Sequence, residues 1–245
     1  MRSEGSGTPR PTEAESPAEP PSGPRNPDVW VVIPLYNEAT VVGSVIEDVL
    51  GTFSNVVCID DGSSDDSAAV AEAAGAVVVR HPMNLGQGAA LQTGFVWARR
   101  RGARYVVTFD SDGQHQVSDA RDMVAVARRE DVSIVFGSRF LDDRTDPGFL
   151  KKIVLGLAVL FTRWTTGLKL TDAHNGLRVI RDDALQLVDI KQDRMAHASE
   201  IVNQLADTKL AWREHPVHVL YTDYSRAKGQ SLWNSVNILI DLIVN

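Results

Sequence analysis

Hydrophobic positions recur in two alternating rhythms from Val29 onward. Short runs rich in β-branched residues, Val29–Leu35, Val56–Ile59, Ala76–Arg80, Tyr105–Phe109 and Val132–Phe136, read as strands buried on both faces. Between them apolar residues return at spacings of three and four. Val41, Val45 and Val49 do so in Thr40–Leu50, and Leu91, Phe95 and Ala98 in Gly88–Arg100, with Ser67–Ala74 and Ser118–Arg129 as two further helical segments. That spacing stacks side chains on one face of a helix. Strands alternating with helices predict βαβ units, hence an α/β fold with a mostly parallel, Rossmann-like central sheet flanked by helices.

In open sheets of this kind ligands gather outside the carboxyl ends of the strands, and each predicted strand runs into a polar motif. Pro34-Leu35-Tyr36-Asn37-Glu38 follows the first, Asp60-Asp61-Gly62-Ser63-Ser64 the second and Asn84-Leu85-Gly86-Gln87-Gly88 the third. Asp110-Ser111-Asp112-Gly113-Gln114-His115 follows the fourth and Gly137-Ser138-Arg139 the fifth. Five polar loops on one rim describe a binding crevice. Within it, Asp110 and Asp112 set two carboxylates one residue apart in a turn. This suits a hard cation such as Mg2+ or Mn2+, which leaves positions open for substrate phosphates; a solvated acidic turn is the other reading of the same residues. Gln114 and His115 stand close enough in sequence to add a ligand or to orient one. Asp60 and Asp61 suit hydrogen bonds from a base or a ribose, while Ser64 and Asp65 suit the cap of the next helix. Gly86-Gln87-Gly88 reads either as a tight turn or as a loop where backbone approaches a nucleotide closely. It is not a Gly-x-Gly-x-x-Gly fingerprint, so a dinucleotide cofactor is not indicated.

Composition narrows the picture. A formal charge of −7 argues against a nucleic-acid partner. The single cysteine, Cys58, lies in the apolar run Val56-Val57-Cys58-Ile59 and reads as a core residue, with no disulfide possible within the chain. The histidines lack the His-Glu-x-x-His spacing of a zinc protease, and His215 and His218 read as strand positions. Residues 1–27 hold seven of the eleven prolines and, Met1 aside, nothing apolar larger than alanine. A disordered tail is expected there, without the apolar stretch of a signal peptide.

The second half carries a different charge balance. Residues 139–181 contain eight Lys or Arg against four Asp. Within them, Phe149–Trp164 places Phe149, Ile153, Leu157, Leu160, Phe161 and Trp164 at helical spacing, with Lys152 and Arg163 towards the other side. Two readings fit, a core-packing helix or a basic amphipathic helix at a membrane interface. Leu232–Val244 is apolar apart from a narrow stripe of Asn234, Asn237 and Asp241, which suits a membrane surface or a docking partner. Neither segment reaches the roughly 20 apolar residues of a membrane span.

Taken in order and at their spacing, Val32-Ile33-Pro34-Leu35-Tyr36-Asn37-Glu38, Asp60-Asp61-Gly62-Ser63, Asn84-Leu85-Gly86, Asp110 to His115 and Gly137-Ser138-Arg139-Phe140 resemble glycosyltransferase family 2. More narrowly they are similar to the polyprenyl-phosphate sugar synthases, such as dolichyl-phosphate mannose synthase, over roughly residues 29–240. The resemblance implies a GT-A domain over residues 28–231, with 28–139 as the nucleotide-sugar half and 140–231 as the acceptor half, amphipathic interfacial helices in the second half, and 232–245 as a docking helix. It implies a nucleotide-diphosphate sugar donor, a UDP-sugar being favoured over GDP-mannose, and an Mg2+ or Mn2+ ion. Pro34, Tyr36, Glu38, Asp60, Asp61, Asn84, Gly86, Gln87, Asp110 and Ser111 are then expected around the nucleotide, and Asp110, Asp112 and Gln114 around the metal and diphosphate.

The acceptor decides the rest of the expected site. A polyprenyl phosphate already presents an anionic oxygen, so cations to hold it matter most, and Arg139, Arg226 and Lys228 are the expected clamp. A hydroxyl acceptor needs a general base instead, either Asp172 or Glu200. His174, Asn175 and Arg178 lie in a segment similar to the family's Asp…Gly-Phe-Arg motif, with Leu177 in the Phe position, and are expected near the donor sugar, as is Asp172. The expected catalytic set is Asp112, Asp172, Glu200 and Arg139. The whole reading is an inverting, metal-dependent transfer of sugar to a polyprenyl phosphate for cell-envelope glycan assembly. The enzyme would be cytoplasmic and peripheral on the inner face of the plasma membrane, alone or with a small membrane-protein partner. Transfer to a glycan or small-molecule hydroxyl, and a catalytically silent nucleotide-sugar-binding scaffold, are the alternatives.

Overall fold

A computed structural model describes residues 25–142, 168–172, 175–192 and 197–220. The segments Phe149–Trp164 and Leu232–Val244, the expected tail up to residue 24, and His174, Arg226 and Lys228 lie outside the described residues. Seven strands form one sheet: β1 (Val29–Leu35), β2 (Asn55–Asp60), β3 (Val77–Arg80), β4 (Tyr105–Thr108), β5 (Ile134–Ser138), β6 (Arg178–Arg181) and β7 (Trp212–Pro216). The helices are α1 (Val42–Leu50), α2 (Ser67–Ala73), α3 (Gln87–Arg100), α4 (Val117–Arg129), the single turn α5 (Asp182–Leu185) and α6 (His197–Asp207). Strand order across the sheet is β3-β2-β1-β4-β6-β5-β7. All neighbours are parallel except β6, which runs antiparallel to both β4 and β5.

The continuous apolar runs of the strands follow from burial on both faces. Along β1, Val29, Val31, Ile33 and Leu35 meet α1 and α4 through Val45, Ile46, Val49, Met123 and Val124. Trp30 and Val32 face the opposite layer, where Leu91, Phe95 and Ala98 of α3 pack with Ile201, Val202 and Leu205 of α6. Gly94 marks the closest approach, because a Cβ there would overlap Val32 Cγ1 on the neighbouring strand. Gly94→Ala is therefore expected to cost about 1–3 kcal/mol of stability through overpacking, read as a lowered denaturant midpoint.

Two strands escape the hydrophobic pattern. β6 is four residues with an arginine at each end, and β7 reads Trp-Arg-Glu-His-Pro, with no apolar alternation. Register, not composition, makes them strands: Val179 sits opposite Val107 on one side and Val135 on the other. The folded region also begins earlier than residue 28. Asn26 Nδ2 donates to the Thr52 carbonyl at 3.1 Å, and the Arg25 carbonyl accepts from the Ser54 N–H at 2.9 Å, fastening this stretch to the turn before β2.

Candidate active site

A cleft of about 690 Å3 opens at the carboxyl ends of β1 and β4, between the first turns of α3 and α6. Of the expected site residues it is lined by Pro34, Tyr36, Glu38, Asp61, Asn84, Gly86, Gln87, Asp110, Ser111, Asp112 and Arg178, joined by Leu35, Ala90, Leu91, Thr108, Gly176, His197 and Ala198. A larger hollow of about 880 Å3 at the other end of the sheet is lined by Arg99, Arg100, Arg104 and Arg181 among others, and holds none of the strand-end motifs.

The loops after β1 and β2 interlock beneath the rim. Asn37 takes a positive φ of 54°, a region asparagine tolerates better than most residues. Its N–H donates to Ser63 Oγ at 3.0 Å, and its Oδ1 accepts from the Ser64 N–H at 2.8 Å. The Glu38 N–H donates to Ser67 Oγ at 2.7 Å. Asp65 accepts from Ala39 N at 3.2 Å, from Ser67 N at 3.0 Å and from the Ser67 hydroxyl. Its slight burial opposes ionisation, but these hydrogen bonds outweigh that and hold its carboxyl below the usual range. Asp60 is buried, accepts from Ser63 N at 3.3 Å and does not line the cleft. Asp61 does line it, and its carboxylate anchors the loop before α3, accepting from Leu85 N at 2.9 Å and Gly86 N at 2.7 Å.

Asp110 and Asp112 sit at the floor. His115 Nε2 lies 3.0 Å from Asp110 Oδ2, and Gln87 Nε2 donates to Asp110 Oδ1 at 3.3 Å. Burial opposes the Asp110 charge, yet the His115 hydrogen bond, with Arg178 and His197 nearby, holds its carboxyl below the ordinary value. Asp112 behaves oppositely: burial first, then the charge on Asp110, push its carboxyl up to about 6. Two carboxylates crowded in this way, all hard oxygen donors, fit a divalent cation that would offset their repulsion. Among the described residues no three His, Cys, Asp or Glu side chains form a group able to hold a metal. Substrate phosphates and water would complete the coordination.

The opposite wall comes from β6. Thr108 Oγ1 donates to the Gly176 carbonyl at 2.6 Å and accepts from Arg178 N at 3.1 Å, pinning this turn against Asp110. A Cβ on Gly176 would overlap Asp110 Oδ2. The Arg178 side chain is buried with its Nε unpartnered. Burial lowers its pKa to about 10, against the pull of Asp110 and Asp172, so it stays charged at neutral pH.

Several expected residues have other occupations. Asp172 accepts from Arg139 Nε at 2.6 Å and Nη2 at 2.8 Å, a bidentate pair with the carboxylate almost wholly buried. A carboxylate gripped this way is a poor proton acceptor, and those two Arg139 nitrogens are no longer free for an acceptor phosphate. Neither residue lines the cleft. Glu200, the other expected base, accepts from the backbone N–H of Lys191 at 3.1 Å and of Gln192 at 2.8 Å, so it braces the loop before α6. Gln114 lies buried behind the acidic pair, its N–H on Asp112 Oδ1 at 3.0 Å and its Nε2 without a partner. Asn175 Oδ1 accepts from Leu177 N at 2.9 Å, outside the lining.

Sequence reasoning assigned no role to three residues that shape the site. His197 opens α6 against the cleft; its only signal was its place at the head of an amphipathic stretch. His81 contacts Asp61. Glu214 on β7 accepts from Thr171 N at 2.7 Å, Thr171 Oγ1 at 3.0 Å and Asp172 N at 3.3 Å, fixing the turn that carries Asp172. Burial, with the Asp172 charge, raises the Glu214 pKa above its ordinary 4.5. A raised folded-state value favours the protonated form, so this contribution to stability is full below the unfolded value and is lost as pH rises through the folded one. Glu214→Gln, which keeps an acceptor oxygen, should raise Tm at pH 7 and leave it nearly unchanged at pH 4.

Against this geometry, the family model described as "Glycosyl transferase family 2" matches residues 30–188. The chain belongs to glycosyl transferase family 2. This family 2 enzyme is 31% identical over 222 residues to an uncharacterized Methanocaldococcus jannaschii protein, covering 89% of this chain and 91% of that one. It is 26% identical over 238 residues to the UDP-N-acetylglucosamine–dolichyl-phosphate N-acetylglucosaminyltransferase of Methanococcus voltae, covering 88% and 95%. Among solved structures, glucosyl-3-phosphoglycerate synthase from Mycobacterium tuberculosis, in complex with Mn2+, UDP and phosphoglyceric acid, superposes with a TM-score of 0.61. That match is at 20% identity and covers 90% of this chain and 78% of the other. The sheet of this glycosyltransferase, with its helices on both faces, is therefore a GT-A fold. Among the described residues no helix is long and apolar enough to cross a membrane.

Proposed function

We propose that this glycosyltransferase moves a sugar from a UDP-sugar onto a polyprenyl phosphate, with inversion at the anomeric carbon. The observation that carries the reading is the cleft itself, where Asp110 and Asp112 form an acidic floor beside the buried cation of Arg178. The named acceptor of the Methanococcus voltae relative, a dolichyl phosphate, supports the lipid.

Asp110 and Asp112 would hold Mg2+ or Mn2+, and the bound ion supplies charge neutralisation for the departing nucleotide diphosphate. The chain's own contributions are positional and electrostatic. Pro34 and Tyr36 offer apolar surface to the nucleoside at the end of β1. Gly86, capping α3 at a φ of 98°, lets backbone approach a phosphate at a helix N-terminus. Arg178 adds a fixed positive charge opposite the acidic pair, in a buried setting where such a charge acts strongly. His115 orients Asp110.

The engagement of both expected bases supports a phosphate acceptor. Asp172 is tied to Arg139 and Glu200 to backbone amides, whereas a phosphate monoester carries its nucleophilic oxygen already ionised at neutral pH. Attack of that oxygen on the anomeric carbon forms the new C–O bond as the bond to the nucleotide diphosphate breaks. Such an acceptor requires the cleft to work at a membrane surface, and our reading is a peripheral enzyme on the cytoplasmic face.

The test is donor turnover with Mn2+ across UDP- and GDP-sugars, with and without a short-chain polyprenyl phosphate. Turnover of a UDP-sugar only when the lipid phosphate is present is the expected result. Equal turnover with a glycan or small-molecule hydroxyl would overturn the acceptor assignment, and preference for GDP-mannose would overturn the donor.

A further inference from the structure

His81 joins three elements at one buried point. It stands just past β3, with a side chain only 9% exposed, and its Nδ1 lies 2.7 Å from Asp61 Oδ1 at the end of β2. Its Nε2 lies 2.9 Å from Thr93 Oγ1 on α3. A carboxylate only accepts, so Nδ1 carries a proton and donates it to Asp61, while the threonine hydroxyl, which can donate or accept, partners Nε2. Both ring nitrogens therefore have a partner. Asp61 in turn accepts the N–H groups of Leu85 and Gly86. Those are consecutive amides of the loop that ends at the head of α3, where Gly86 and Gln87 line the cleft.

The outer side of that loop faces solvent: Met83 is 63% exposed and Leu85 42%. Its inner side is held by the Asp61 carboxylate. The two amides take one carboxylate oxygen each, Leu85 on Oδ1 and Gly86 on Oδ2, and the ring adds a third bond on Oδ1. That third bond comes from a group held independently of the loop, because His81 N donates to the Asp60 carbonyl at 2.8 Å and Thr93 meets the far ring nitrogen.

We infer that His81 is a positioning residue for donor binding. Through Asp61 it sets the Leu85–Gly86 amides and the first turn of α3 in the conformation that receives the nucleotide diphosphate. This rests on the reading of the cleft as the nucleotide-sugar site. Thr93, which touches neither Asp61 nor the loop in this network, acts only by fixing the ring.

Two measurements on the full chain test it: hydrogen exchange of the Leu85 and Gly86 amides without ligand, and UDP binding by calorimetry with Mn2+. His81→Phe keeps a ring but offers no donor. It should speed exchange at these two amides at least tenfold and raise the UDP Kd about tenfold, the scale of one buried hydrogen bond, while kcat at saturating donor changes less than twofold. His81→Asn carries an amide nitrogen where Nδ1 stands and should recover most of both losses; a purely space-filling role predicts no such recovery. Thr93→Val should shift both readouts in the same direction by a smaller factor, and it serves alone if His81→Phe fails to fold. Wild-type exchange and Kd in both His81→Phe and Thr93→Val would overturn the inference and leave the function intact. Failure of the unaltered chain to bind UDP would instead overturn the nucleotide reading, and the role of His81 in donor binding with it.

Discussion

Asp112→Asn should abolish sugar transfer, by roughly a thousandfold or more, while leaving the metal-free protein at least as stable as the parent. The two halves of that result have one cause. Burial and the neighbouring charge of Asp110 already disfavour the Asp112 carboxylate, whose pKa is pushed up to about 6. A neutral amide of the same shape relieves the repulsion within the fold and removes a charged oxygen that a cation needs. Residues kept for folding lose stability when altered; a residue kept for a cation loses function instead. Asp110→Asn should also lose transfer but gain no stability, because the His115 hydrogen bond and the charges of Arg178 and His197 favour the ionised form there. Chelation should reproduce both activity losses, and added Mn2+ should raise the Tm of the parent but not of Asp112→Asn. Steady-state turnover beside thermal unfolding checks the set, and an Asp112→Asn enzyme keeping more than a tenth of its turnover would contradict it.

Arg178→Met has the second-largest expected effect and the opposite profile. Arg178 is 3% exposed as a whole residue, and its guanidinium carries the positive charge beside Asp110 and Asp172. Removing one member of a buried charge cluster leaves the others uncompensated, a loss of about 3–5 kcal/mol. The same change takes a fixed cation from beside the departing diphosphate, and transfer should fall about a hundredfold. Arg178→Lys keeps the charge without the planar fork and should recover stability more than activity, since a lysine matches phosphate geometry less well. Denaturant unfolding and kcat separate the two. Full activity in Arg178→Met would remove this residue from the site.

The parts of the fold legible in the sequence were those where burial is two-sided. β1, β2 and β4 show as unbroken apolar runs because helices cover both faces, and α1, α3 and α4 show because each buries a single stripe. β6 hid because its two valine-isoleucine positions are bracketed by arginines that serve other ends: Arg178 enters the cleft, and Arg181 pairs with Asp131 and Asp183. β7 was read only at His215, because an edge strand of Trp-Arg-Glu-His-Pro has no alternation to bound it; His218, read as a strand position too, lies past its end. Its membership of the sheet rests on its pairing with β5.

The site divides along the same line. The rule that ligands gather at strand ends found Pro34, Glu38, Asp110 and Asp112 because the motif and the strand adjoin in sequence. The pairing of Arg139 with Asp172 was not legible because it closes across 33 residues, and nothing in either motif announces the other. The bracing role of Glu200 was hidden because, besides Gln204 one turn on, its partners are the backbone amides of Lys191 and Gln192, groups that every residue carries and no sequence pattern marks. His81 was silent for a related reason: its two partners, Asp61 and Thr93, lie 20 positions before and 12 after it, so only the fold makes the relay visible.

The central claim is that the sugar ends on a lipid phosphate. Its most direct test is the mass of the product formed from isotope-labelled UDP-sugar and a short polyprenyl phosphate with Mn2+, extracted into organic solvent and compared between the parent enzyme and Asp112→Asn. The predicted result is a lipid phosphate heavier by one labelled sugar residue, cleaved by mild acid as a glycosyl phosphate is, and absent with Asp112→Asn. Label confined to the aqueous phase, as free sugar or as a glycoside, while UDP is released at the same rate without lipid, would contradict it.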